Sequence, residues 1–255
     1  MLLQASGLTK RFGDTVAVAG VDLTVERGET LALIGTSGCG KTTTLKLLNR
    51  LIEPDAGFVR LEGMEAHDVP AAAWRRKIGY VIQSAGLFPH LTVFDNIAAT
   101  PRLLDWSPDR VRERVHVLLD TVGLPPADFA HRKPVALSGG QAQRIGLARA
   151  LAGEPQLVLM DEPFSALDSF TKETLIDDVS AMRRDLGFAA VIVTHDFSEA
   201  LRFADRIAVM DHGEIVQEGP ADRLISSPGH PAVERLLDAP RRTAEAVSAA
   251  FETGH

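Results

Sequence analysis

The chain carries two kinds of hydrophobic pattern, and each predicts its own kind of sheet. Residues 1–30 alternate apolar and polar positions, with turn residues at Phe12-Gly13-Asp14 and Arg27-Gly28, which predicts antiparallel strands. Later runs are continuously apolar, which is typical of strands buried on both faces of a parallel sheet. The continuous runs are Thr30–Ile34, Leu157–Met160, Ala189–Val193 and Ile207–Met210, and a hairpin return is expected at Glu214–Glu218.

Between these strands, apolar residues recur at the three- and four-residue spacing that is typical of helices. Lys41–Ile52 is predicted to be a helix that stops before Pro54, with an apolar face made of Leu45, Leu48 and Ile52. From Asp95 to about Asp128 the signal is also helical, with apolar residues at three- and four-residue spacing until Gly123: Val111, Val115, Leu118, Leu119 and Val122. Strands alternating with helices predict an α/β fold with a mostly parallel central sheet. The tail from Arg241 is expected to form a surface helix or to fray.

Composition and charge narrow the class of protein. With 255 residues and 45% hydrophobic content, the chain can form one large α/β domain, or one domain with a subdomain. The net charge of -7 argues against a protein that holds nucleic acid by bulk electrostatics. Cys39 is the single cysteine, so an intrachain disulfide is impossible, as fits a reducing compartment.

The apolar runs are all too short to cross a membrane. None approaches the roughly 18–20 uninterrupted residues that span a bilayer. The first residues, Met1-Leu2-Leu3-Gln4-Ala5, carry neither a charged region nor a long apolar core, so we expect no signal peptide. If the protein serves a membrane process, other chains are expected to cross the membrane.

A glycine-rich loop between a predicted strand and a predicted helix indicates a nucleotide ligand. Its pattern, G-x-x-x-x-G-K-[ST], lets the backbone wrap a phosphate chain with the amides pointing at the anion. Lys41 is expected to reach the β- and γ-phosphates, and the Thr42 hydroxyl can ligate Mg²⁺. Cys39 is either an accessible thiol that nucleotide shields or a small buried packing residue. The expected nucleotide-binding residues here are Gly35, Thr36, Ser37, Gly38, Cys39, Gly40, Lys41, Thr42 and Thr43.

Two carboxylates follow the apolar run Leu157–Met160. Ligands collect at the carboxyl ends of strands in open α/β sheets, so Asp161 can hold Mg²⁺ directly or through water. Glu162 beside it can polarise an attacking water molecule as a general base. A solvated turn is the ordinary alternative for such a pair, but the phosphate loop upstream favours the catalytic interpretation.

The segment Leu137-Ser138-Gly139-Gly140-Gln141 predicts the start of a helix. Ser138 is a candidate N-cap, and Gln141, three residues later, would complete a capping box. Gly153 is the expected stop at the other end. The two glycines would also leave the first amides bare, so that the helix N-terminus could meet a phosphate. From local chemistry alone, a well-capped structural helix and a phosphate-binding helix stay equally open.

These motifs together resemble those of a known family. Residues 137–141 spell LSGGQ, between the phosphate loop and Leu159-Met160-Asp161-Glu162-Pro163. On these motifs, and over residues 2 to about 237, the chain resembles the ATP-binding-cassette ATPases that drive membrane transport.

The resemblance assigns a role to several other positions. It implies that Phe12 stacks on adenine, that Gln83 senses Mg²⁺ and couples to a membrane subunit, and that His195 contacts the γ-phosphate. Taken alone, each has an ordinary alternative: a core aromatic, a strand-end amide and a structural histidine. The resemblance also implies that the loop Ser165-Ala166-Leu167-Asp168 faces a partner cassette.

The family's architecture implies a head-to-tail homodimer. ATP would lie between one chain's phosphate loop and the other chain's signature helix, so that ATP closes the dimer and hydrolysis opens it. This motion would reach a transmembrane permease through the segment near Gln83 and the region Asp95–Leu104. The expected catalytic residues are Glu162, His195, Gln83 and Lys41, and the expected Mg²⁺ ligands are Thr42, Gln83 and Asp161. The partner chain is expected to contribute Ser138, Gly139, Gly140, Gln141 and Asp168.

The expected fold is therefore that of a P-loop NTPase with an N-terminal antiparallel β subdomain and an inserted α-helical subdomain. The ATPase domain is expected over residues 1–240, followed by a short tail at 241–255. Within that domain we expect the antiparallel part at 1–30, the nucleotide-binding core at 30–85 and 155–240, and the helical signature subdomain at 86–154.

Three stretches resemble more narrowly the ATPases of osmoprotectant importers for glycine betaine, choline or proline betaine: Lys41–Pro54, Ile78–Ile97 and Leu103-Leu104-Asp105-Trp106. This resemblance implies a peripheral ATPase on the cytoplasmic face of the cell membrane. It would work with a permease and, through it, a substrate-binding protein, without nucleic acid. The alternatives are an importer of another small polar solute, such as an amino acid or an oxyanion, and a non-transport soluble cassette ATPase. Several relatives continue into a C-terminal regulatory domain pair, whereas this sequence ends at His255, so regulation by ionic strength through such a pair is not expected.

Overall fold

A computed structural model describes residues 1–165, 167–238 and 240–242 and contains two sheets with helices packed around them. Ala166 of the loop expected to face a partner, and residues 243–255 of the expected tail, lie outside the described residues. The strands are β1 (Leu3–Phe12), β2 (Thr15–Val25), β3 (Thr30–Ile34), β4 (Ala56–Leu61), β5 (Met64–Glu65), β6 (Ile78–Val81), β7 (Leu157–Asp161), β8 (Ala189–Thr194), β9 (Arg206–Asp211) and β10 (Glu214–Gly219).

The helices lie between and after these strands. They are α1 (Lys41–Leu48), α2 (Ala71–Arg75), α3 (Val93–Leu103), α4 (Pro108–Thr121), α5 (Pro126–Phe129), α6 (Gly139–Leu151), α7 (Ser169–Leu186), α8 (Phe197–Phe203) and α9 (Ala221–Ser226). Residues 231–238 are also helical, and Ala66–Asp68 and Pro134–Ala136 are 3-10 turns. Within the described part of the chain, none of the helices is long and apolar enough to cross a membrane.

The larger sheet has six strands in the order β10-β9-β3-β8-β7-β6. β3 pairs in parallel with β8 and β9, β7 pairs in parallel with β6 and β8, and β10 returns antiparallel to β9. The predicted parallel strands and the predicted hairpin return are both confirmed. Because parallel strands end at one edge of a sheet, the residues that follow β3, β6, β7 and β8 meet there.

Alternate residues of β3 enter two separate cores. Leu31 and Leu33 belong to an apolar cluster that also contains residues of α1 and β1, whereas Ala32 and Ile34 belong to a cluster with residues of α3, α4, α6 and α7. All four side chains are completely buried. Burial on both faces explains why these four positions are all apolar.

The smaller sheet has the order β2-β1-β4-β5 and is antiparallel throughout. The antiparallel strands predicted from the alternation in residues 1–30 are confirmed, and they form a hairpin with Phe12 opposite Thr15 at its turn. β4 and β5 also join this sheet, although they lie outside residues 1–30. This addition was not predicted, because the pairing of β4 with β1 joins residues far apart in the sequence. The expected bounds of the subdomains stay a prediction.

One predicted helix end is wrong, and a tertiary contact explains it. α1 ends at Leu48 rather than Ile52, because Arg50 takes a φ of 50° and donates hydrogen bonds to the carbonyls of Ala66 and Val69. α6 ends at Leu151 with Ala152 as its C-cap, so Gly153 is the first residue past the cap and the predicted stop is confirmed. A Cβ at Gly153 would lie 2.8 Å from a methyl carbon of Thr100, so this glycine also allows close packing against α3.

Candidate functional site

A cavity of about 490 Å³ lies where the carboxyl ends of the central strands meet. Its walls come from the phosphate loop, from the segment after β6, and from the residues that follow β7 and β8. Most of its lining was predicted to be functional: Ser37, Gly38, Gly40, Lys41, Thr42, Thr43, Gln83, Glu162 and His195. Ala17 of β2 completes the lining and was missed, because an alanine in an alternating strand carries no chemical signal.

The backbone of the phosphate loop is possible only with glycine at two positions. Gly35 and Gly40 have φ values of 154° and 112°, and an added Cβ would come within 2.2 Å of the Met210 carbonyl oxygen or 2.4 Å of the Ala17 carbonyl oxygen. Gly40 is also the N-cap of α1, and because glycine has no side chain, it cannot accept a hydrogen bond from the first amides. The first turn of α1 is therefore left available to an anion.

Lys41 is buried, and its ammonium group turns back onto its own loop. The Nζ donates to the carbonyl oxygens of Gly35 at 2.8 Å and Thr36 at 2.9 Å. Cys39 is buried as well, with its Sγ 3.8 Å from the same ammonium. Of the two alternatives for Cys39, the structure favours the buried packing residue over the accessible thiol.

Thr42 and Asp161 are brought together from opposite ends of the sequence. The Thr42 hydroxyl donates to Asp161 Oδ1 at 2.9 Å. Burial raises the pKa of the Asp161 carboxyl; the hydrogen bond from Thr42 opposes this shift, and the charge of Glu162 adds to it. A hydroxyl beside a desolvated carboxylate supplies the hard oxygen donors that Mg²⁺ prefers.

Glu162 contacts two of the other predicted catalytic residues. Gln83 donates from Nε2 to Glu162 Oε2 at 2.9 Å, and His195 Nδ1 lies 3.3 Å from Glu162 Oε1. The backbone of Glu162 has a φ of 44°, a left-handed conformation that is strained for a glutamate. It is held by a 2.9 Å hydrogen bond from the Glu162 amide to the Val193 carbonyl. The carboxylate is thus fixed at the strand ends and faces the cavity.

The LSGGQ segment lies outside this cavity lining. Ser138 accepts a hydrogen bond from the Gln141 amide and Gln141 accepts one from the Ser138 amide, so the predicted capping box is confirmed. Ser138 and Gly139 are exposed. Asp168 caps α7 by accepting the Thr171 amide at 3.0 Å.

Phe12 stands at the end of β1 with 52% of its surface exposed. The alternative of a core aromatic is therefore wrong. Phe12 is not among the residues that line the cavity, and its stacking on adenine stays a prediction.

Arg149 is a further residue that sequence reasoning missed. From α6 it donates to the carbonyl oxygens of Gly86 at 2.7 Å and Ala85 at 3.0 Å, and so braces the segment that follows Gln83. Burial lowers the pKa of its guanidinium, which nevertheless keeps its charge. Its partners are backbone carbonyls, which leave no trace in a sequence.

Comparison with known proteins adds to this geometry. The model of the family described as ABC transporter matches residues 18–165. The chain belongs to the ABC transporter family. The glycine betaine/carnitine/choline transport ATP-binding protein OpuCA of Bacillus subtilis (strain 168) is 47% identical over 88% of this chain and 59% of its own length. The choline transport ATP-binding protein OpuBA of the same strain is 46% identical over 92% of this chain, and the chain spans 62% of that relative.

Two further matches bear on length and fold. The glycine betaine uptake system ATP-binding protein YehX of Escherichia coli (strain K12) is 45% identical over 92% of this chain and 76% of its own length. A solved structure of the ATP-binding cassette MJ0796, a dimer in a post-hydrolysis state bound to ADP and Pi, matches with a TM-score of 0.77 at 33% identity. It covers 86% of this ABC transporter chain and 98% of its own. The predicted α/β fold of a P-loop NTPase is confirmed.

Proposed function

We propose that the chain hydrolyses ATP as the nucleotide-binding subunit of an ABC importer, for osmoprotectants such as glycine betaine or choline. One observation carries the enzymatic part. The Glu162 carboxylate stands in one cavity with the phosphate loop on one side and with Gln83 and His195 on the other. A nucleotide whose phosphates lie at the N-terminus of α1 would present its terminal phosphate to Glu162, whose carboxylate can accept a proton from water.

Each residue has a definite task in this scheme. Lys41 exchanges the carbonyls of Gly35 and Thr36 for phosphate oxygens. Glu162 accepts the proton of the attacking water, and His195 steadies the terminal phosphate. The oxygen atoms of Thr42, Asp161 and Gln83 would hold Mg²⁺, whose charge offsets the negative phosphate oxygens when it is bound.

A second copy of the chain completes the site. The start of α6 is exposed and lies outside the cavity lining of its own chain, so that its glycines are open to a partner. The solved relative is dimeric, which supports a head-to-tail pair in this protein as well. Ser138, Gly139, Gly140, Gln141 and Asp168 of each chain would then face the ATP of the other.

A groove beside the site offers a seat for a membrane subunit. Its volume is about 470 Å³, and it lies between α2, β6 and α3, directly after the segment of Gln83. Phe88 and Leu103 line it and are exposed, although both are large and apolar. We assign this groove to the transmembrane permease, which would hold the ATPase at the cytoplasmic face of the membrane and connect it to a substrate-binding protein.

The transported solute is inferred from the relatives alone. The relatives named above are ATP-binding proteins for transport of glycine betaine, carnitine or choline. A quaternary ammonium group would be recognised by the binding protein, where an aromatic cage can hold the cation. The rival is another small polar solute. Relatives named for spermidine and putrescine import reach 43% identity over 92% of this chain.

Uptake by cells tests this proposal. In a strain without other betaine carriers, deletion of the gene should abolish accumulation of radiolabelled glycine betaine and choline under salt stress. Wild-type protein should restore it, and Glu162→Gln should not. Labelled spermidine serves as the comparison solute. Unchanged uptake of both betaine-type solutes after deletion would overturn the substrate assignment and leave the ATPase assignment standing.

A further inference from the structure

A buried ion pair lies beside the site, and none of the tasks above uses it. Lys172 Nζ is 2.7 Å from Glu199 Oε1 and joins α7 to α8. Only 6% of the Glu199 side chain and 25% of the Lys172 side chain are exposed. A carboxylate this deeply buried is tolerated only when it is paired and hydrogen-bonded.

Glu199 also holds the backbone on both sides of His195. Its Oε2 accepts a hydrogen bond from the Thr194 hydroxyl at 2.5 Å, and that hydroxyl accepts the Asp196 amide at 3.0 Å. Asp196 caps α8 and has its Oδ2 3.4 Å from Lys172 Nζ. Residues 194 and 196 are therefore fixed by the same ion pair, with His195 between them.

The lysine end of the pair reaches the loop that follows Glu162. Lys172 lies in the first turn of α7, and its amide donates to the Asp168 carbonyl at 2.9 Å. At the start of this loop the Ser165 hydroxyl donates to the Glu162 carbonyl at 3.0 Å. Burial opposes the charge of Lys172, but the hydrogen bonds and charges of Glu199 and Asp196 prevail and raise its pKa. Lys172 therefore stays charged at neutral pH.

We propose that Lys172 and Glu199 are positioning residues that hold His195 at the Glu162 carboxylate and thereby set the rate of hydrolysis rather than the affinity for ATP. The side chain of His195 is 62% exposed, so packing does not fix its ring. The turn beneath the ring must do so, and this turn is held through Glu199. The inference rests on the proposed ATPase function. A group that reacts or contacts the reacting phosphate loses much of its effect when its support is loosened.

Steady-state kinetics separate positioning from binding. For Glu199→Gln we expect kcat to fall about 10- to 100-fold, as for a misplacement of a group near the chemistry. The KM for ATP should change little, because no residue that contacts the nucleotide is altered. Lys172→Met combined with Glu199→Gln leaves no unpaired buried charge, and is expected to fold and to show the same loss. Lys172→Arg keeps the ion pair and should retain most of the wild-type kcat.

The chain offers a matched control on the same two helices. Asp177 of α7 pairs with Arg202 of α8 at 3.0 Å, but the Asp177 side chain is 69% exposed. Asp177→Asn should leave kcat and KM at the wild-type values. A wild-type kcat in the Lys172→Met and Glu199→Gln double variant would overturn the proposal. A fall in kcat/KM that comes entirely from a raised KM would overturn it as well.

A second measurement does not depend on turnover. In protein labelled at histidine, the NMR resonance of the His195 ring can be assigned by its absence from His195→Ala. We expect this resonance to shift in both Glu199 variants and to stay in place in Asp177→Asn. An unchanged His195 resonance would overturn the proposal even if kcat fell. If the wild type failed to hydrolyse ATP, the proposed function would fail, while the NMR comparison would still decide on the positioning.

Discussion

α1 and α6 both begin at glycine-rich segments, but the free chain satisfies their polar groups to different degrees. α6 begins with a complete capping box, in which Ser138 and Gln141 satisfy each other's amides. α1 begins at Gly40, which offers no side-chain cap. The N-terminus of α6 is thus capped by side chains, whereas the N-terminus of α1 is not.

The surroundings of α1 deepen this difference. The Lys41 ammonium donates to carbonyls of its own loop, the pKa of the Asp161 carboxyl is raised by burial, and Glu162 is held at a φ of 44°. Strained backbone conformations and shifted pKa values are typical of ligand-binding and catalytic sites. We therefore expect the phosphate loop to bind a ligand within its own chain, whereas the polar groups at the start of α6 are already satisfied and its glycines are proposed to contact a second chain.

Replacing the proposed general base at the phosphate loop should have the largest effect on hydrolysis. We expect Glu162→Gln to bind ATP and to hydrolyse it about 10²- to 10⁴-fold more slowly, the usual contribution of a general base. Phosphate release and binding of a fluorescent ATP analogue measure the two effects separately. Glu154→Gln, at an exposed glutamate paired with Arg110, is the control and should behave as wild type. Near wild-type turnover of Glu162→Gln would refute the assignment.

A smaller effect is expected on the stability of the fold, through the Asp161 carboxyl beside the phosphate loop. Burial gives the Asp161 carboxyl a raised pKa, with the Thr42 hydrogen bond opposing and the Glu162 charge assisting the shift. A group whose pKa is raised by folding stabilises the fold below its unfolded pKa, and this contribution is lost as the pH rises through the folded value. The ionised carboxylate therefore destabilises the free chain at neutral pH.

Asp161→Asn should accordingly melt at a slightly higher temperature than wild type at neutral pH without nucleotide, although it should lose Mg²⁺-dependent hydrolysis. The difference in melting temperature should fade as the pH falls toward 3.8, the ordinary pKa of the group. Thermal unfolding followed by circular dichroism measures it. A lower melting temperature for the variant at neutral pH would contradict the expectation.

Much of the site could be predicted because its chemistry is local in sequence. The phosphate loop and the capping box each depend on residues that are close together in the sequence, and the buried strands have uninterrupted apolar runs. The end of α1 and the place of β4 were not predictable in this way, since Arg50 is held by the carbonyls of Ala66 and Val69 and β4 pairs with distant β1. Lys172 and Glu199 were missed for the same reason: only the fold brings them together.

A second copy of the chain is proposed to complete the site through the start of α6. Gly139 tests it most directly, because a Cβ there meets no atom within 4 Å in the free chain and an aspartate is favourable at a helix N-terminus. In Glu162→Gln, light scattering should give the 27.5 kDa monomer without ATP and twice that mass with ATP. Adding Gly139→Asp should leave the chain folded and able to bind ATP, yet hold it at the monomer mass. Glu162→Gln that stays monomeric in saturating ATP, or a double variant that still dimerises fully, would contradict the account.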